Sequence, residues 1–364
     1  MSRARAVFGD RVATGAAEVT HDPARLDAGG FWVVVATFEG ELTAVRMTDV
    51  RRQHPLPPPR LPEWAGSAPA GSAPAEPARA DATRDTDATR GWESSLGEAD
   101  YAAGVREIRR RISTGEVYQV NLCRVLSHPI RDDIDLDVLD RAVRQGNPAP
   151  YAARVHVPEA GLDLVCASPE LFLERTGDTL TSAPIKGTAP TADELLPKDR
   201  TENVMITDLV RNDLSHVAQP GTVAVAGLCA LERHPGLVHL VSTVTSSLRP
   251  DVTWADVLAA TFPPGSVSGA PKSTALQAIR DLEPVPRGPY CGAVGWVDAD
   301  AGEARLAVGI RTFWAEHDPQ GRRWLRFGTG AGITWGSDPQ GEWWETVLKA
   351  RRLVGLARTV TEND

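Results

Sequence analysis

Short apolar stretches separated by turn-forming residues recur along the chain and predict a strand-rich protein. The first forms a hairpin, in which F-W-V-V-V-A-T-F (31–38) and E-L-T-A-V-R-M (41–47) flank Glu39 and Gly40. β-Branched and aromatic residues suit such segments because they pack well on a pleated surface. Further strands are predicted at 117–126, 152–157, 162–166, 171–175, 179–183, 222–231, 238–247, 293–297, 304–313 and 324–328.

Other segments place apolar residues three or four positions apart, as on one face of a helix. The clearest is 100–114, with Tyr101, Val105, Ile108 and Ile112. Many predicted strands follow one another without a helix between them, which favours an α+β fold with large antiparallel sheets over a doubly wound parallel sheet. The other helices are predicted at 136–144, 200–209, 254–262, 274–282 and 342–356.

The composition changes sharply between residues 55 and 91. P-L-P-P-P-R-L-P-E-W is followed by A-G-S-A-P-A-G-S-A-P-A-E-P, which has few large apolar residues and predicts a flexible Pro/Ala/Ser-rich linker. The chain is therefore expected to have three parts. Residues 1–54 form a short β-rich segment that packs on the main domain, residues 55–91 are the linker, and residues 92–364 are the main domain.

Composition and charge narrow the class of protein. Hydrophobic residues make up 42% and charged residues 24% of the chain, as in ordinary globular proteins. No run of eighteen apolar residues is present, so no transmembrane helix is predicted. The four cysteines show no C-x-x-C spacing, which indicates reduced thiols and a cytoplasmic protein. The net charge of −9 argues against nucleic-acid binding, and an anionic substrate would need local positive charge.

Two glycine-containing segments resemble nucleotide-binding motifs but lack a required residue. G-S-V-S-G-A-P-K-S-T (265–274) has Pro271 before Lys272, where a phosphate-binding loop needs a glycine N–H. G-T-G-A-G (328–332) is followed by Ile333 where a dinucleotide-binding motif has its third glycine. We expect residues 328–332 to form a loop whose backbone amides approach an anion.

Lys186 is the clearest candidate nucleophile. It lies in S-A-P-I-K-G-T (182–188), between Ile185 and Gly187, and a glycine lets the backbone come close to a ligand. S-P-E (168–170) precedes this segment and K-D-R-T-E (198–202) follows it. We therefore expect an anion- and metal-binding cavity around Lys186.

Nine segments of the chain, in order, resemble motifs of the chorismate-utilising enzymes. Together they cover roughly residues 92–356. The resemblance implies two large antiparallel β-sheets packed as a sandwich with flanking helices, and an active site between the sheets. The segments are V-Y-Q-V-N-L (117–122), S-P-E (168–170), P-I-K-G-T (184–188), K-D-R-T-E-N-V-M-I-T-D-L-V-R-N-D-L (198–214), H-L-V-S-T-V (239–244), P-P-G-S-V-S-G-A-P-K (263–272), R-G-P-Y-C-G-A-V-G (287–295), G-T-G-A-G-I (328–333) and E-W-W-E-T-V-L-K-A (342–350).

The resemblance also implies a Mg²⁺ cofactor that binds the ring carboxylate of chorismate, since hard oxygen ligands suit this ion. Glu202 and Glu345 match its carboxylate ligands, and Asp199 and Glu342 could hold metal-bound water. Glu170 stands where the family carries the general acid that protonates the departing C4 hydroxyl.

The remaining implied residues bind substrate. Arg311 and Tyr290 match the pair that grips the enolpyruvyl carboxylate, and an arginine fork suits a carboxylate. Lys349 would balance charge near the ring carboxylate, while Thr188 and His239 would line the C4 side of the ring. Gln119 and the Gly330, Ala331 and Gly332 segment complete the predicted binding surface.

Two positions distinguish members of the family. Members that add water at C2 carry a lysine base where this chain has Gln119, so isochorismate and salicylate synthases are disfavoured. Members that make anthranilate have alanine where this chain has Lys186, and lysine marks aminodeoxychorismate synthase component I. In that enzyme the lysine adds to C2 as the C4 hydroxyl leaves. Ammonia then adds at C4 and expels the lysine from C2. A lysine that only pairs with a substrate carboxylate is the alternative.

The resemblance implies partners as well. No segment reads as a glutaminase, so a separate glutamine amidotransferase subunit would supply ammonia, and an aminodeoxychorismate lyase would act downstream. The alternatives are anthranilate synthase component I and a non-catalytic chorismate-binding subunit.

Overall fold

The computed structural model describes residues 4–53, 89, 91–189, 191–234 and 237–362. The predicted linker, 55–91, lies outside the described residues apart from Thr89 and Gly91. The three-part division of the chain therefore stays a prediction.

The described residues contain eighteen strands, and every pairing between them is antiparallel. The strands are β1 (Arg5–Phe8), β2 (Arg11–Thr20), β3 (Phe31–Ala36), β4 (Leu42–Arg52), β5 (Glu93–Ser94), β6 (Gln119–Pro129), β7 (Tyr151–Val157), β8 (Leu162–Ser168), β9 (Leu171–Thr176), β10 (Thr179–Ala183), β11 (Ile185–Ala189), β12 (Ala224–His234), β13 (Leu237–Ser247), β14 (Gly269–Ala270), β15 (Ala293–Asp298), β16 (Glu303–Val308), β17 (Thr312–His317) and β18 (Arg323–Ile333).

Six α-helices flank these strands in the described part of the chain. The helices are α1 (Glu98–Ser113), α2 (Asp137–Gly146), α3 (Pro197–Ser215), α4 (Trp254–Thr261), α5 (Lys272–Leu282) and α6 (Pro339–Thr361). None of the described helices is both long and apolar enough to cross a membrane. The helix predicted at 200–209 is longer at both ends in the structure. The R-N-D segment (211–213), which follows the predicted helix, therefore lies inside α3.

The predicted α+β class is confirmed, but the strands are not divided into two hydrogen-bonded sheets. One half of the sheet holds β6, β18, β17, β8 and β7, and the other holds β15, β16, β9, β10, β13, β11 and β12. Among the pairings of described strands, only β1–β4 join the halves, because β1 pairs with β7 and β3 with β15. The N-terminal segment is therefore part of one continuous sheet.

The sheet curves so that its two halves face each other. Lys186 on β11 lies beside Gly332 on β18, although many strands separate them in pairing order. A hydrophobic cluster fills the space between α2, α6 and the strands β6, β8, β17 and β18. This packing fixes α6 against the half of the sheet that carries Gly332.

Two predicted elements are wrong in ways that affect the site. The strand predicted at 304–313 is divided into β16 and β17, and Arg311 between them has a φ of 53°. The loop predicted at 328–332 is the interior of β18, paired with β6 from Trp324 to Ile333. Glycine lowers strand propensity, and only close packing against other residues explains its use there.

Candidate functional site

Lys186 lies at an irregular point of the strand β11. The pairing of β11 with β13 shifts register between Ile185 and Thr188, and Gly187 has a φ of 85°. Such bulges redirect a side chain, and a positive φ favours glycine. A Cβ placed on Gly332 would lie 3.6 Å from Lys186 Nζ, so the ammonium faces β18 across the cleft.

The surroundings of Lys186 favour its neutral form. Burial lowers the pKa of Lys186, and the charge of Lys349 adds to this effect. The carboxylates of Glu202, Glu170 and Glu345 oppose it. No hydrogen bond or ion pair joins Nζ to another described side chain. A partly desolvated amine without a fixed partner suits a nucleophile.

Glu170 follows β8 and is only 4% exposed. Burial raises the pKa of Glu170 to about 7, against a hydrogen bond from Ser266 and the charge of Lys186. Its backbone N–H donates to Ser168 Oγ at 3.2 Å, which fixes the turn into β9. A carboxyl group that is half protonated near neutral pH can donate a proton to a departing hydroxyl.

Gln119 is fully buried, and neither its Nε2 nor its Oε1 has a hydrogen-bond partner among the described residues. Unpaired buried amide groups are rare and call for an explanation. A Cβ at Gly332 would lie 2.5 Å from Gln119 Nε2 and 3.1 Å from Asn121 Oδ1. The absence of a side chain at Gly332 therefore lets the Gln119 amide approach the β18 backbone closely, with Asn121 and Lys186 beside it.

Gly328, Gly330 and Gly332 are every second residue of β18, so their Cα–H bonds lie on one face of the strand, because side-chain positions alternate along a strand. A Cβ would overlap the Tyr290 ring at Gly328 and would lie 2.5 Å from Cys123 Sγ at Gly330. Ala331 is buried. These contacts are the physical reason why a glycine-rich segment is a strand here rather than a loop.

The predicted metal carboxylates come from two helices. Burial raises the pKa of Glu202 on α3, opposed by Lys186 and Lys198, while Asp199 and Glu345 raise it further. Glu202 and Glu345 therefore lie within electrostatic reach of each other, although they are far apart in sequence.

The pKa values of the two α6 carboxylates, Glu342 and Glu345, shift in opposite directions. Glu345 pairs with Lys349 at 2.6 Å, and although burial opposes it, this ammonium lowers the pKa of Glu345. Burial raises the pKa of Glu342, against a hydrogen bond from Ser337. No group of three or more metal-ligating His, Cys, Asp or Glu residues is found in the described chain. Two carboxylates still fit Mg²⁺, which commonly uses one or two protein carboxylates together with water and substrate oxygens.

Asp199 caps α3 instead of facing the cleft with both oxygens. Its Oδ2 accepts a hydrogen bond from the Leu196 N–H at 2.8 Å. A Cβ on Gly187 would lie 2.8 Å from Asp199 Cβ, so the start of α3 packs closely against β11. A water-mediated metal role for Asp199 stays a prediction.

Arg311 lies in the segment between β16 and β17, and Tyr290 lies against Gly328 of β18. Burial lowers the pKa of Arg311, and the charge of Arg352 adds to this effect. Arg311 makes no ion pair with any described carboxylate, and its positive φ is a strained backbone conformation for this residue. Tyr290 is buried, with its hydroxyl 3.9 Å from Cys123 Sγ.

The other predicted binding residues lie near Lys186 or β18. His239 is buried on β13 and stands opposite Thr188, of which only the backbone is described. Lys349 donates to the carbonyl of Gly330 at 3.0 Å as well as pairing with Glu345.

Sequence reasoning assigned no role to four residues that the structure places at this site: Ser266, Asn121, Asn203 and Lys198. All four lie within the motifs that carry the family resemblance, which was the available signal. Asn121 donates from Nδ2 to the Ser266 carbonyl at 2.8 Å, while the Ser266 side chain hydrogen-bonds Glu170. Lys272, from the phosphate-loop-like segment, is held instead by Asp213 at 2.7 Å.

Comparison with known proteins gives consistent matches. A family model described as chorismate binding enzyme matches residues 41–355. Anthranilate synthase component 1 3 of Haloarcula marismortui is 40% identical over 275 residues, covering 72% of this chain and 53% of that protein. Aminodeoxychorismate synthase component 1 of Klebsiella aerogenes is 35% identical over 280 residues, covering 73% and 59%. The structure of anthranilate synthase component I from Streptococcus pneumoniae shares the fold, with a TM-score of 0.71 at 21% identity over 97% of this chain and 91% of that chain.

A buried acid, a partly desolvated lysine and two carboxylates within electrostatic reach of that lysine are features expected of an enzyme site. The chain belongs to the family of chorismate-binding enzymes. It spans little more than half the length of the curated relatives it matches. Those relatives carry two different product names, so membership of the family does not select the product.

Proposed function

We propose that this chain is a component I that aminates chorismate at C4 and yields 4-amino-4-deoxychorismate. The observation that carries the proposal is Lys186, a partly desolvated amine that lies beside Gly332 of β18 and within electrostatic reach of Glu170 and Glu202. Its position is occupied by lysine in the aminodeoxychorismate synthases that the motifs resemble.

In the proposed reaction, neutral Lys186 Nζ forms a bond to C2 of chorismate. The ring double bonds shift, and the C4 hydroxyl leaves as water with the proton of Glu170. The Glu170 carboxylate then takes the extra proton from Nζ. Ammonia forms a bond to C4 and the double bonds shift back. The C2–Nζ bond breaks as Glu170 protonates Nζ, and the new C4 ammonium returns a proton to Glu170. The net change is chorismate plus ammonia to aminodeoxychorismate plus water.

The remaining residues bind and orient the substrate. Arg311, which has no carboxylate partner among the described residues, is suited to the enolpyruvyl carboxylate. Glu202 and Glu345 would hold Mg²⁺, with Asp199 and Glu342 as outer groups. When bound, that ion would neutralise the ring carboxylate and polarise the ring.

The proposed partners follow from the same function. The relatives are named as component 1 of their synthases. A glutamine amidotransferase subunit would supply ammonia, and an aminodeoxychorismate lyase would consume the product.

Anthranilate synthase component I is the second candidate. It is favoured by the names of several relatives at 36–40% identity, whereas the aminodeoxychorismate synthases match at 33–35%. In that case amination would occur at C2 with loss of pyruvate.

Incubation with chorismate, Mg²⁺ and an ammonium salt, followed by product identification, separates the candidates. We expect aminodeoxychorismate, which an added lyase converts to 4-aminobenzoate. Direct formation of fluorescent anthranilate would contradict the proposal. Chorismate binding without turnover at any ammonium concentration would support a non-catalytic binding subunit.

Substitution of Lys186 tests the covalent step. Lys186→Ala and Lys186→Arg should both lower turnover at least about 100-fold, because neither supplies a nucleophilic amine at neutral pH. Lys186→Arg is the matched control for charge, and activity retained by this variant would indicate an ion pair instead. Intact-mass analysis of the wild type with chorismate and without ammonia should show an adduct of chorismate minus one water.

A further inference from the structure

Asn203 on α3 lies directly after Glu202 and is only 1% exposed. Its Nδ2 donates to the carbonyl of Leu240 on β13 at 2.9 Å, and it lies 3.5 Å from the carbonyl of Lys186 on β11. One side chain thus connects the helix of a predicted metal ligand to the strand of the predicted nucleophile.

The irregular pairing of β11 explains why this connection is needed. Ile185 pairs with Val241 and Thr188 with His239, so the regular ladder is interrupted at Lys186 and Gly187. A buried backbone carbonyl that loses its ladder partner must find another donor. The Asn203 amide lies 3.5 Å from the part-buried Lys186 carbonyl, at the limit of hydrogen-bonding distance, and donates to the Leu240 carbonyl of β13 at 2.9 Å.

The opposite side of the Asn203 amide is also fixed. Its Oδ1 accepts from the Ser242 hydroxyl, and Ser242 Oγ accepts from the backbone N–H of Cys229 at 2.9 Å. The Thr207 hydroxyl, one turn along α3, donates to the Asn203 carbonyl at 2.7 Å. Partners on both sides leave the amide one orientation, with Nδ2 toward Lys186.

We propose that Asn203 is a positioning residue that holds the Lys186 bulge and the Glu202 turn of α3 in one arrangement. The inference rests on the proposed roles of Lys186 and Glu202. It does not depend on which carbon of chorismate is aminated. Groups that orient reacting residues typically change activity 10- to 100-fold when they are altered, because small displacements of the reacting atoms are costly.

The test compares Asn203→Asp with Thr207→Val. The aspartate keeps the size and the Oδ1 acceptor but removes both Nδ2 donor contacts. Thr207→Val is the matched control, since it removes a buried hydroxyl from the same network and leaves Nδ2 in place. We expect Asn203→Asp to lower kcat about 10- to 100-fold with the KM for chorismate within about threefold. Thr207→Val should keep kcat within about threefold and lower only the melting temperature.

A second measurement reports on Lys186 without turnover. Trinitrobenzenesulfonate labels lysine amines, and mass spectrometry can quantify the peptide that holds Lys186. Its labelling rate should change at least about threefold in Asn203→Asp and stay unchanged in Thr207→Val. Lys272, held by Asp213, serves as the internal reference. Asn203→Ala replaces Asn203→Asp in both measurements if the buried carboxylate prevents folding.

An unchanged kcat and an unchanged Lys186 labelling rate in a folded Asn203 variant would overturn the inference. Equal losses of kcat in the Asn203 variant and in Thr207→Val would also overturn it, because they would indicate general loosening of α3. Failure of the proposed function is seen separately, in the product made by the wild type. If the wild type shows no turnover, the labelling rate of Lys186 alone decides whether Asn203 positions this lysine.

Discussion

Two buried polar regions of this protein differ in how completely their hydrogen-bonding groups are used. In the first, Arg287 is only 1% exposed and pairs with both oxygens of Glu283, at 2.6 and 2.8 Å. Its remaining donors reach the carbonyls of Val267 and Asn121, each at 2.9 Å, and its guanidinium lies 4.0 Å from the centre of the Phe38 ring.

The second region surrounds Lys186. There Gln119 has two unpaired amide atoms among the described residues, and Lys186 forms no ion pair with a described carboxylate. Glu170 is buried and has a pKa raised to about 7. Both regions bury charge, but only the first compensates it within the protein.

The difference separates structure from binding. A compensated pair such as Arg287 and Glu283 fixes one arrangement of the chain. Here it connects the residues that follow α5 to Asn121 on β6 and to Val267, which precedes α5. Uncompensated groups in a cleft are costly to the folded protein unless a ligand pairs with them. The second region is therefore the one where a substrate is expected to bind.

Removing the acid of the second region should have the largest effect. Glu170→Gln should lower turnover about 100- to 10,000-fold, since glutamine cannot donate the proton that the departing hydroxyl needs. The melting temperature should not fall, because a buried carboxyl is replaced by a neutral amide. Steady-state kinetics and thermal unfolding of the same variant check both parts.

The pH dependence of Glu170 has a definite sign. Its folded pKa of about 7 lies above the ordinary value of 4.5, so the folded state holds a proton that the unfolded state has lost. Stability should therefore decrease as the pH rises from about 4.5 to 7, by about 3 kcal/mol from this group alone. Wild-type stability that increases across this range relative to Glu170→Gln would contradict the assignment.

Breaking the first region should act on stability. Arg287→Met leaves the buried Glu283 carboxylate unpaired and should cost about 3–5 kcal/mol of unfolding free energy. Urea unfolding measures this change. The double variant Arg287→Met with Glu283→Leu is the control, and it should recover most of the loss. A single variant as stable as the wild type would show that the pair is not structurally important.

The smallest effect is expected at Gln119. Gln119→Leu should change the unfolding free energy by less than about 1 kcal/mol, because no hydrogen bond to a described residue is lost. Its KM for chorismate should rise several-fold if the amide binds substrate. Asn121→Leu, a matched buried amide that is hydrogen-bonded to the Ser266 carbonyl, should lose about 1–3 kcal/mol. Equal stability losses in the two variants would contradict the comparison between the regions.

Much of the fold was predictable from local patterns. The five helices other than α3 begin and end within a few residues of their predicted bounds, except that α6 extends further at its C-terminal end. Strands rich in valine and leucine, such as β3 and β13, were also predicted. The strands β1 and β2 were missed, since β1 has only four residues and β2, R-V-A-T-G-A-A-E-V-T, has mostly small residues with little apolar alternation. They are the strands that help to join the two halves of the sheet.

The sequence alone determined which reactive groups the site can contain and the order of the motifs that carry them. It identified Lys186, Glu170, Glu202 and Glu345 as candidates because their residue types and neighbours match one family. It did not reveal Asn203, whose partners on β11 and β13 are distant in the chain.

Only the tertiary structure decided how these groups behave. The raised pKa of Glu170, the interrupted ladder at Lys186 and the strand conformation of residues 328–332 depend on residues that are remote in sequence. Burial and distance set the cost of each charge, and neither can be read from neighbours along the chain. The same reason separates Arg287, which pairs with Glu283, from Arg311, which has no ion pair with a described carboxylate.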